Sequence, residues 1–537
     1  MATTEKVKHP KGLVMAALSN MGERFGFYTM MAILVLFLSA KFGLNETSAG
    51  LIYSIFYFSI YALAMIGGIV ADKTKKYKGT ILAGLLMMGI GYVLLAIPTT
   101  VTADNKTILL IFTCLALFVI ALGNGFFKGN LQALVGQMYD KGGYSNDARD
   151  AGFTIFYMFI NIGAVVAPWI APSVRNWWLK TNNFTYNADL PELCHMYLNN
   201  AQMSEAQSAN FQQLASQVSL NGAVAPEALG EFATNYLGVF NAGFHYSFAV
   251  AVLAMLISMV IFITNKKQFP DAAADAAAKA AQLAEDKANG KKAPVVEEMP
   301  AAEVRQRLFA LFAVFAVVIF FWFSFHQNGL TLTYFARDFI NLDFFGDKFK
   351  LTPEMFQSAN PFFVVFLAPV VVGFFGLFAK RGKPVTTPAK IAIGMGLAAL
   401  AFVVMALASR GLPTLNVAKE MGRSAMAAEG LLVNPWVLVL VYLILTIAEL
   451  CISPLGLSFV SQVAPPKMQG IMQGAWLLAT GVGNLFLFLG AKLYSSTSLV
   501  ATWLVFVGVC VIAMIIMISM LGWLNRVTGQ GKHAKKA

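Results

Sequence analysis

Residues 19–28, SNMGERFGFY, place an acid and a base side by side, Glu23 and Arg24, inside a run that is otherwise apolar from Leu13 to Ala40. That run is long enough to cross a bilayer. A charge at the bilayer centre costs ~2.5–3.5 kcal/mol, so ionisable residues at that depth ordinarily face a cavity and carry function. At helical spacing Asn20, Glu23, Arg24, Phe27 and Tyr28 share one face. The stripe carries an amide, an acid, a base and two rings. A Glu–Arg pair that merely locks helices together is the structural alternative, and the cavity-lining role is the expectation adopted here.

Other apolar runs carry polar groups of the same kind. Lys128 lies in GNGFFKGN, Asn161 in FYMFINIGA, His326 in FFWFSFHQNG, Asn360 in SANPFF and Glu449 in AELCISPLG. Each amide alone fits an interhelical hydrogen bond. Lys128 and Glu449 are harder to explain by structure alone, because a lysine at that depth needs an anion or water. The first half of the chain supplies Arg24 and Lys128 against Glu23, and the second supplies Glu449 among neutral polar groups. If all face one cavity, its walls are oppositely charged, which suits a zwitterion such as a short peptide. Tyr28, Tyr61, Trp322 and Trp476 offer apolar contact without strict shape demands.

The elements that position these groups follow from composition. The 537 residues are 58% hydrophobic and 12% charged, with a mean hydropathy of +0.66. A soluble chain could not bury so much apolar surface, and long apolar runs define an all-α integral membrane protein. Twelve spans are expected: 13–40, 47–71, 80–98, 107–138, 151–172, 238–264, 305–336, 355–379, 387–408, 434–462, 468–494 and 499–524. The first twelve residues, MATTEKVKHPKG, show no small-residue cleavage site, so the first span is expected to be retained.

The net charge of +12 does not point to nucleic acid. Lys73, Lys75, Lys76, Lys78, Lys380, Arg381, Lys383, Arg526, Lys532, Lys535 and Lys536 fall where cytoplasmic segments would lie, as the positive-inside rule requires. Both termini are therefore expected in the cytoplasm of a multi-pass protein of a cell (inner) membrane. Cys114, Cys194, Cys451 and Cys510 follow no metal or disulfide spacing, and neither cofactor nor metal is expected.

The chain divides into a six-helix half (1–264), a polar linker (265–304) and a second six-helix half with a basic tail (305–537). The linker reads equally as a surface helix or a solvated tether. An insertion at 173–237 falls outside, with a Gln/Ala/Ser-rich part suited to a small helical cap. GGIVADKTKKYKG (67–79) and GLFAKRGKP (376–384) form a weak repeat, each ending the second helix of a half with Gly-x-x-Ala and basic residues. Repeated halves fit the major facilitator fold, twelve transmembrane helices in two bundles that rock about a central site.

At these residues the sequence resembles the proton-coupled oligopeptide transporter (POT/PTR) family of the major facilitator superfamily. Its first-helix hallmark, Glu-x-x-Glu-Arg-Phe-x-Tyr-Tyr, reads here as NMGERFGFY: Glu23, Arg24, Phe25 and Tyr28 match, while Asn20 and Phe27 depart. YALAMIGGIVAD, GNGFFKGN, FYMFINIGA, SANPFF, AELCISPLGLS and QGAWLLATGVGN resemble further family segments. The resemblance implies peptide-contacting roles for Tyr61, Asn161, Asn360 and Trp476. It implies that Lys128 interacts with the first-helix motif and that Glu449 meets the peptide amino group. Trp322 aligns with the family's seventh helix, but His326 stands where an acid is usual.

The resemblance implies import of di- and tripeptides by a secondary transporter that uses protons, with lipid around it and a monomer expected. Proton coupling maps onto Glu23, Arg24, Lys128 and His326, and the changes at Asn20 and His326 put its tightness in question. His326 is open to two roles, proton carrier or hydrogen-bonding pocket residue. A transporter of another small anion or zwitterion is the alternative, as is a receptor that binds without transport. No P-loop, HExxH or Gly-x-Ser-x-Gly motif appears, so no enzyme is expected.

Overall fold

A hydrophobic chain in lipid must pair its backbone groups internally, and helices do this within one segment. The computed structural model describes residues 9–142, 144–271, 274, 299–346, 349–453, 456, 459–460, 463–465 and 468–527, and among them no strand forms beyond two isolated bridges. The first half contains α1 (Gly12–Phe42), α2 (Glu46–Thr74), α3 (Tyr77–Ala96), α4 (Lys106–Gly142), α5 (Asn146–Thr181) and α8 (Leu229–Thr264). Two shorter helices, α6 (Leu190–Leu198) and α7 (Glu205–Val218), occupy the connection between α5 and α8.

The second half contains α9 (Ala301–Phe325), α10 (Thr331–Phe339), α11 (Ala359–Lys380), α12 (Thr387–Ala408), α13 (Leu415–Met421), α14 (Arg423–Ala428), α15 (Pro435–Leu450), α16 (Gln469–Leu485), α17 (Phe488–Ser496) and α18 (Leu499–Val527). Two of its spans are broken. A 3-10 turn, His326–Gly329, separates α9 from α10, and residues 486–487 separate α16 from α17. Among the described residues, eleven helical stretches are long and apolar enough to cross a membrane, and the shorter apolar α15 stands in the remaining position. The chain is thus an all-α membrane protein of twelve spans in two bundles of six.

Local signals set several helix starts. Asn45, Ser145 and Ser204 each accept a hydrogen bond from a first-turn N–H, and Gln207 completes a capping box with Ser204. The expected boundaries shift around the insertion, because α5 runs past 172 to Thr181 and α8 begins at Leu229. Between these extensions the cap expected from the Gln/Ala/Ser-rich part consists of α6 and α7. The linker at 265–304 is described chiefly at its ends, as a 3-10 turn Lys266–Gln268 and the start of α9. Most of it, and the tail lysines 532, 535 and 536, lie outside the described residues.

Helix α1 packs between α5 and α8, which buries its polar stripe. Two glycines permit close crossings. A Cβ on Gly163 would stand 2.8 Å from the Met21 carbonyl oxygen of α1, and one on Gly67 would stand 2.2 Å from that of Gly125 in α4. The repeated Gly-x-x-Ala glycines behave differently from expectation. Neither Gly68 nor Gly376 has any atom within 4 Å of an added Cβ, so the α2–α4 crossing uses Gly67 and the repeat marks no tight contact in the second half.

The two faces of the bundle differ. His9, Gln268, Phe309 and Trp523 lie on the face that carries the described chain ends, where His9 meets Tyr139 and Phe309 meets Trp523. At the opposite, distal face the two halves are joined by side chains. Arg175 of α5 pairs with Glu354, and Arg337 of α10 pairs with Glu46 of α2 at 2.7 Å. Lys419 of α13 reaches both Glu46 and Glu192 of α6 at 2.9 Å. Deeper in, the Phe488 N–H donates to Ser54, the Gln357 amide donates to the Ala32 carbonyl and Ser358 donates to the Val165 carbonyl.

Candidate substrate and proton site

The polar stripe of α1 forms a compact cluster. Arg24 donates through Nε and Nη2 to the two oxygens of Glu23, at 2.5 and 2.6 Å, and both side chains are buried. Asn124 of α4 adds a third donor to Glu23 Oε1 at 2.9 Å. The carboxylate is thereby satisfied within the first half, as a buried ion requires. The Arg24 guanidinium lies 4.6 Å from the Phe27 ring centre, so the ring at this departure from the family hallmark gives the cation a π face. Asn20 is buried on the same stripe.

Lys128 lies within electrostatic range of Glu23 and Arg24. It does not hydrogen-bond or pair with Glu23 at the described geometry. Its ammonium lies 4.9 Å from the centre of the Tyr61 ring. Arg24 and Asn124 occupy the carboxylate, and Lys128 rests over the aromatic face instead.

Across the bundle, Glu449 accepts from Asn360 Nδ2 at 2.9 Å, and the same amide reaches Thr446 at 3.0 Å. Glu449 is half-buried, and its contact is an amide rather than a cation. Asn161 donates to the Tyr157 carbonyl of its own helix at 3.0 Å.

Rings connect the two halves. Tyr57 lies 5.9 Å from Tyr61 and 4.8 Å from His326, and His326 stacks on Trp322 at 4.9 Å. His326 Nδ1 shares a 2.5 Å hydrogen bond with Asn484 Oδ1. Trp476 is 3% exposed and packs beside Phe315 and Gly456.

Tyr28 interacts electrostatically with Arg24 and with Glu449, Tyr61 does the same, and His326 interacts with Lys128. Tyr157, within range of Glu449 and Tyr28, remains 42% exposed, although the distal ends are tied together. The arrangement can hold an anion at Lys128 and Arg24 and a cation at Glu449.

Several of these residues escaped the sequence reading. Asn124 precedes Lys128 by one helical turn in GNGFFKGN, and Tyr57 precedes Tyr61 by one turn, so spacing could have found both. Asn484 carries no such signal. The distal partners Glu46, Arg175, Arg337 and Glu354 read in sequence as ordinary charges near span ends, and Lys419 as a charge in a connection.

The fold is that of a membrane transporter of the major facilitator class, two six-helix bundles with ionisable groups inside the spans of each. The POT family model matches residues 78–277 and 274–504, and the chain belongs to the POT family. A similar relative is dipeptide and tripeptide permease B of Edwardsiella piscicida, 27% identical over 551 residues and covering 98% of each chain. A crystal structure of peptide transporter POT in complex with sulfate matches at a TM-score of 0.69 and 24% identity, covering 97% of this chain and 96% of that one. A POT family transporter in complex with 5-aminolevulinic acid matches at 0.67 and 20% identity, covering 97% of each.

Proposed function

We propose that this chain imports di- and tripeptides by alternating access, with protons as the coupling ion. The observation that carries the proposal is the pair of opposed walls. Tyr28 and Tyr61 each lie within electrostatic range of Arg24 in the first half and Glu449 in the second, Lys128 rests on Tyr61, and Asn360 donates to Glu449, which supports this reading. In this reading Lys128 and Arg24 take the peptide carboxylate. Glu449, Asn360 and Asn161 receive the amino terminus, and Tyr28, Tyr61, Trp322 and Trp476 border the side chains. Names of relatives such as the Edwardsiella permease support the substrate class.

Coupling is assigned to Glu23, with its partners Arg24 and Asn124, and to His326 near Lys128. The face carrying the termini is assigned to the cytoplasm of an inner membrane, on the distribution of its lysines and arginines. The tied distal ends then correspond to a state closed to the outside. A monomer, with one cavity per chain, suffices for this cycle.

The test is uptake of labelled dialanine into proteoliposomes with and without an inward proton gradient. Uptake accelerated and concentrated by the gradient is the expected result. Exchange indifferent to the gradient removes the proton from the proposal. No movement of peptide in either condition overturns the substrate class, and competition by 5-aminolevulinic acid or other small zwitterions then becomes the informative assay.

A further inference from the structure

His326 replaces an acid where the resemblance leads one to expect a carboxylate, yet its partner is no carboxylate either. Asn484 is fully buried at the last turn of α16, and its oxygen meets His326 Nδ1 at 2.5 Å. An amide oxygen only accepts, so the nitrogen facing it carries the hydrogen. With the amide oxygen on that side, the neutral ring is the Nδ1–H tautomer and Nε2 is its one basic position. Among the described residues Nε2 has no hydrogen-bond partner. The Asn484 Nδ2 group is also buried without one. A buried amide half left unpaired costs about 1–3 kcal/mol.

The groups facing the ring are few. From α2 comes Tyr57, with its ring centre at 4.8 Å; from α4 comes Lys128, within electrostatic range; and α16 presents only the Asn484 amide. Trp322 and Phe325 of the ring's own segment are apolar neighbours. Among the described residues no carboxylate contacts His326. The bond also joins two helix breaks, since His326 opens the 3-10 turn after α9 and Asn484 precedes residues 486–487.

We propose that Asn484 is a positioning residue for proton coupling: it holds His326 as the Nδ1–H tautomer, so that the coupling proton is taken on Nε2. This rests on the reading of the chain as a proton-coupled peptide importer. A proton on Nε2 makes an imidazolium near the Lys128 ammonium, and the two repel. A peptide carboxylate at Lys128 offsets that repulsion, so proton and peptide favour each other's binding to the same degree. An amide at 484, unlike a carboxylate, leaves the ring able to lose the proton when the peptide departs.

Two measurements on the full-length protein test this. In nanodiscs, nitrogen NMR of the [15N]-histidine-labelled protein, assigned by comparison with His326→Gln, is expected to show the Nδ1–H tautomer at neutral pH. An Nε2–H tautomer overturns the proposal without any transport assay. In proteoliposomes, gradient-driven dialanine uptake is followed against pH. Asn484→Asp places a carboxylate on the ring and is expected to move the pH midpoint up by ~1 unit or more.

Asn484→Leu is expected to keep gradient-free exchange but to lose at least tenfold of the acceleration by the gradient. An unchanged midpoint in Asn484→Asp, with only the total rate lowered, overturns the proposal. Should Asn484→Leu fail to fold, the near-isosteric Asn484→Asp and the wild-type tautomer still decide. If the wild type moves no peptide even downhill, the substrate reading fails instead, and a pH midpoint of histidine protonation measured by NMR in Asn484→Asp judges this inference alone.

Discussion

Arg175 and Glu354 form a buried ion pair across the two halves, with side chains 1% and 0% exposed. The guanidinium also lies 4.1 Å from the Tyr186 ring centre and near Phe240 and Phe244. Removing one partner of a buried pair leaves the other charge unpaired, which costs about 3–5 kcal/mol. Arg175→Met and Glu354→Leu are each expected to lower the melting temperature of the purified protein by several degrees. The double variant Arg175→Met/Glu354→Leu is expected to lose less than either single one. Additive losses in thermal unfolding would show that the pair is not coupled.

The opposed charges of the cavity make a prediction about the two ends of the peptide. Lys128→Gln is expected to raise the KM for dialanine roughly ten- to hundredfold, the equivalent of about 1.5–3 kcal/mol for a charge-assisted hydrogen bond. Glu449→Gln is expected to do the same. Acetylating the dialanine amino group should weaken inhibition of the wild type but change little in Glu449→Gln. Equal sensitivity of both proteins to acetylation would move the amino terminus elsewhere.

Asn20 lies one helical turn before Glu23 and Arg24, buried on the same face. Replacing it with glutamate restores the first acid of the family hallmark, so Asn20→Glu is expected to increase the ratio of dialanine uptake with a proton gradient to uptake without one. An unchanged ratio would argue that position 20 has no part in coupling.

Outside the membrane-spanning helices, Asp189 gives a pH dependence. Burial raises its carboxyl above the usual aspartate value of 3.8, against the opposing effect of Arg423 and Arg337, and its Oδ2 is unpartnered. A carboxyl raised on folding contributes stability below its unfolded value and loses it as the pH rises through the folded one. Asp189→Asn is therefore expected to match the wild type in melting temperature near pH 4 and to exceed it progressively as the pH rises. A difference that is constant with pH would rule out ionisation of Asp189 as its source.

Much of this protein was legible in its sequence because bilayer physics is severe. Runs of twenty apolar residues can only be spans, and charges inside them, such as Glu23, Arg24, Lys128 and Glu449, stand out against that background. Their motifs carried the family as well. Boundaries near the insertion were misjudged because α5 and α8 continue beyond the expected limits, where polar residues resemble loop. Helix breaks at 326–330 and 486–487 were invisible, since backbone freed inside a bundle is satisfied by neighbours rather than by local sequence.

Sequence by itself therefore determined the class of fold, the set of charged groups and the half that contributes each. Tertiary structure alone decided who pairs with whom. Glu23 takes Asn124 of α4 as its third donor, Lys128 rests on Tyr61, His326 takes Asn484, and Arg175 finds Glu354. These partners are separated by scores of residues or more, and their choice depends on how helices cross and rotate. One-dimensional spacing records which face a residue occupies on its own helix. It holds no information about which face of another helix arrives opposite.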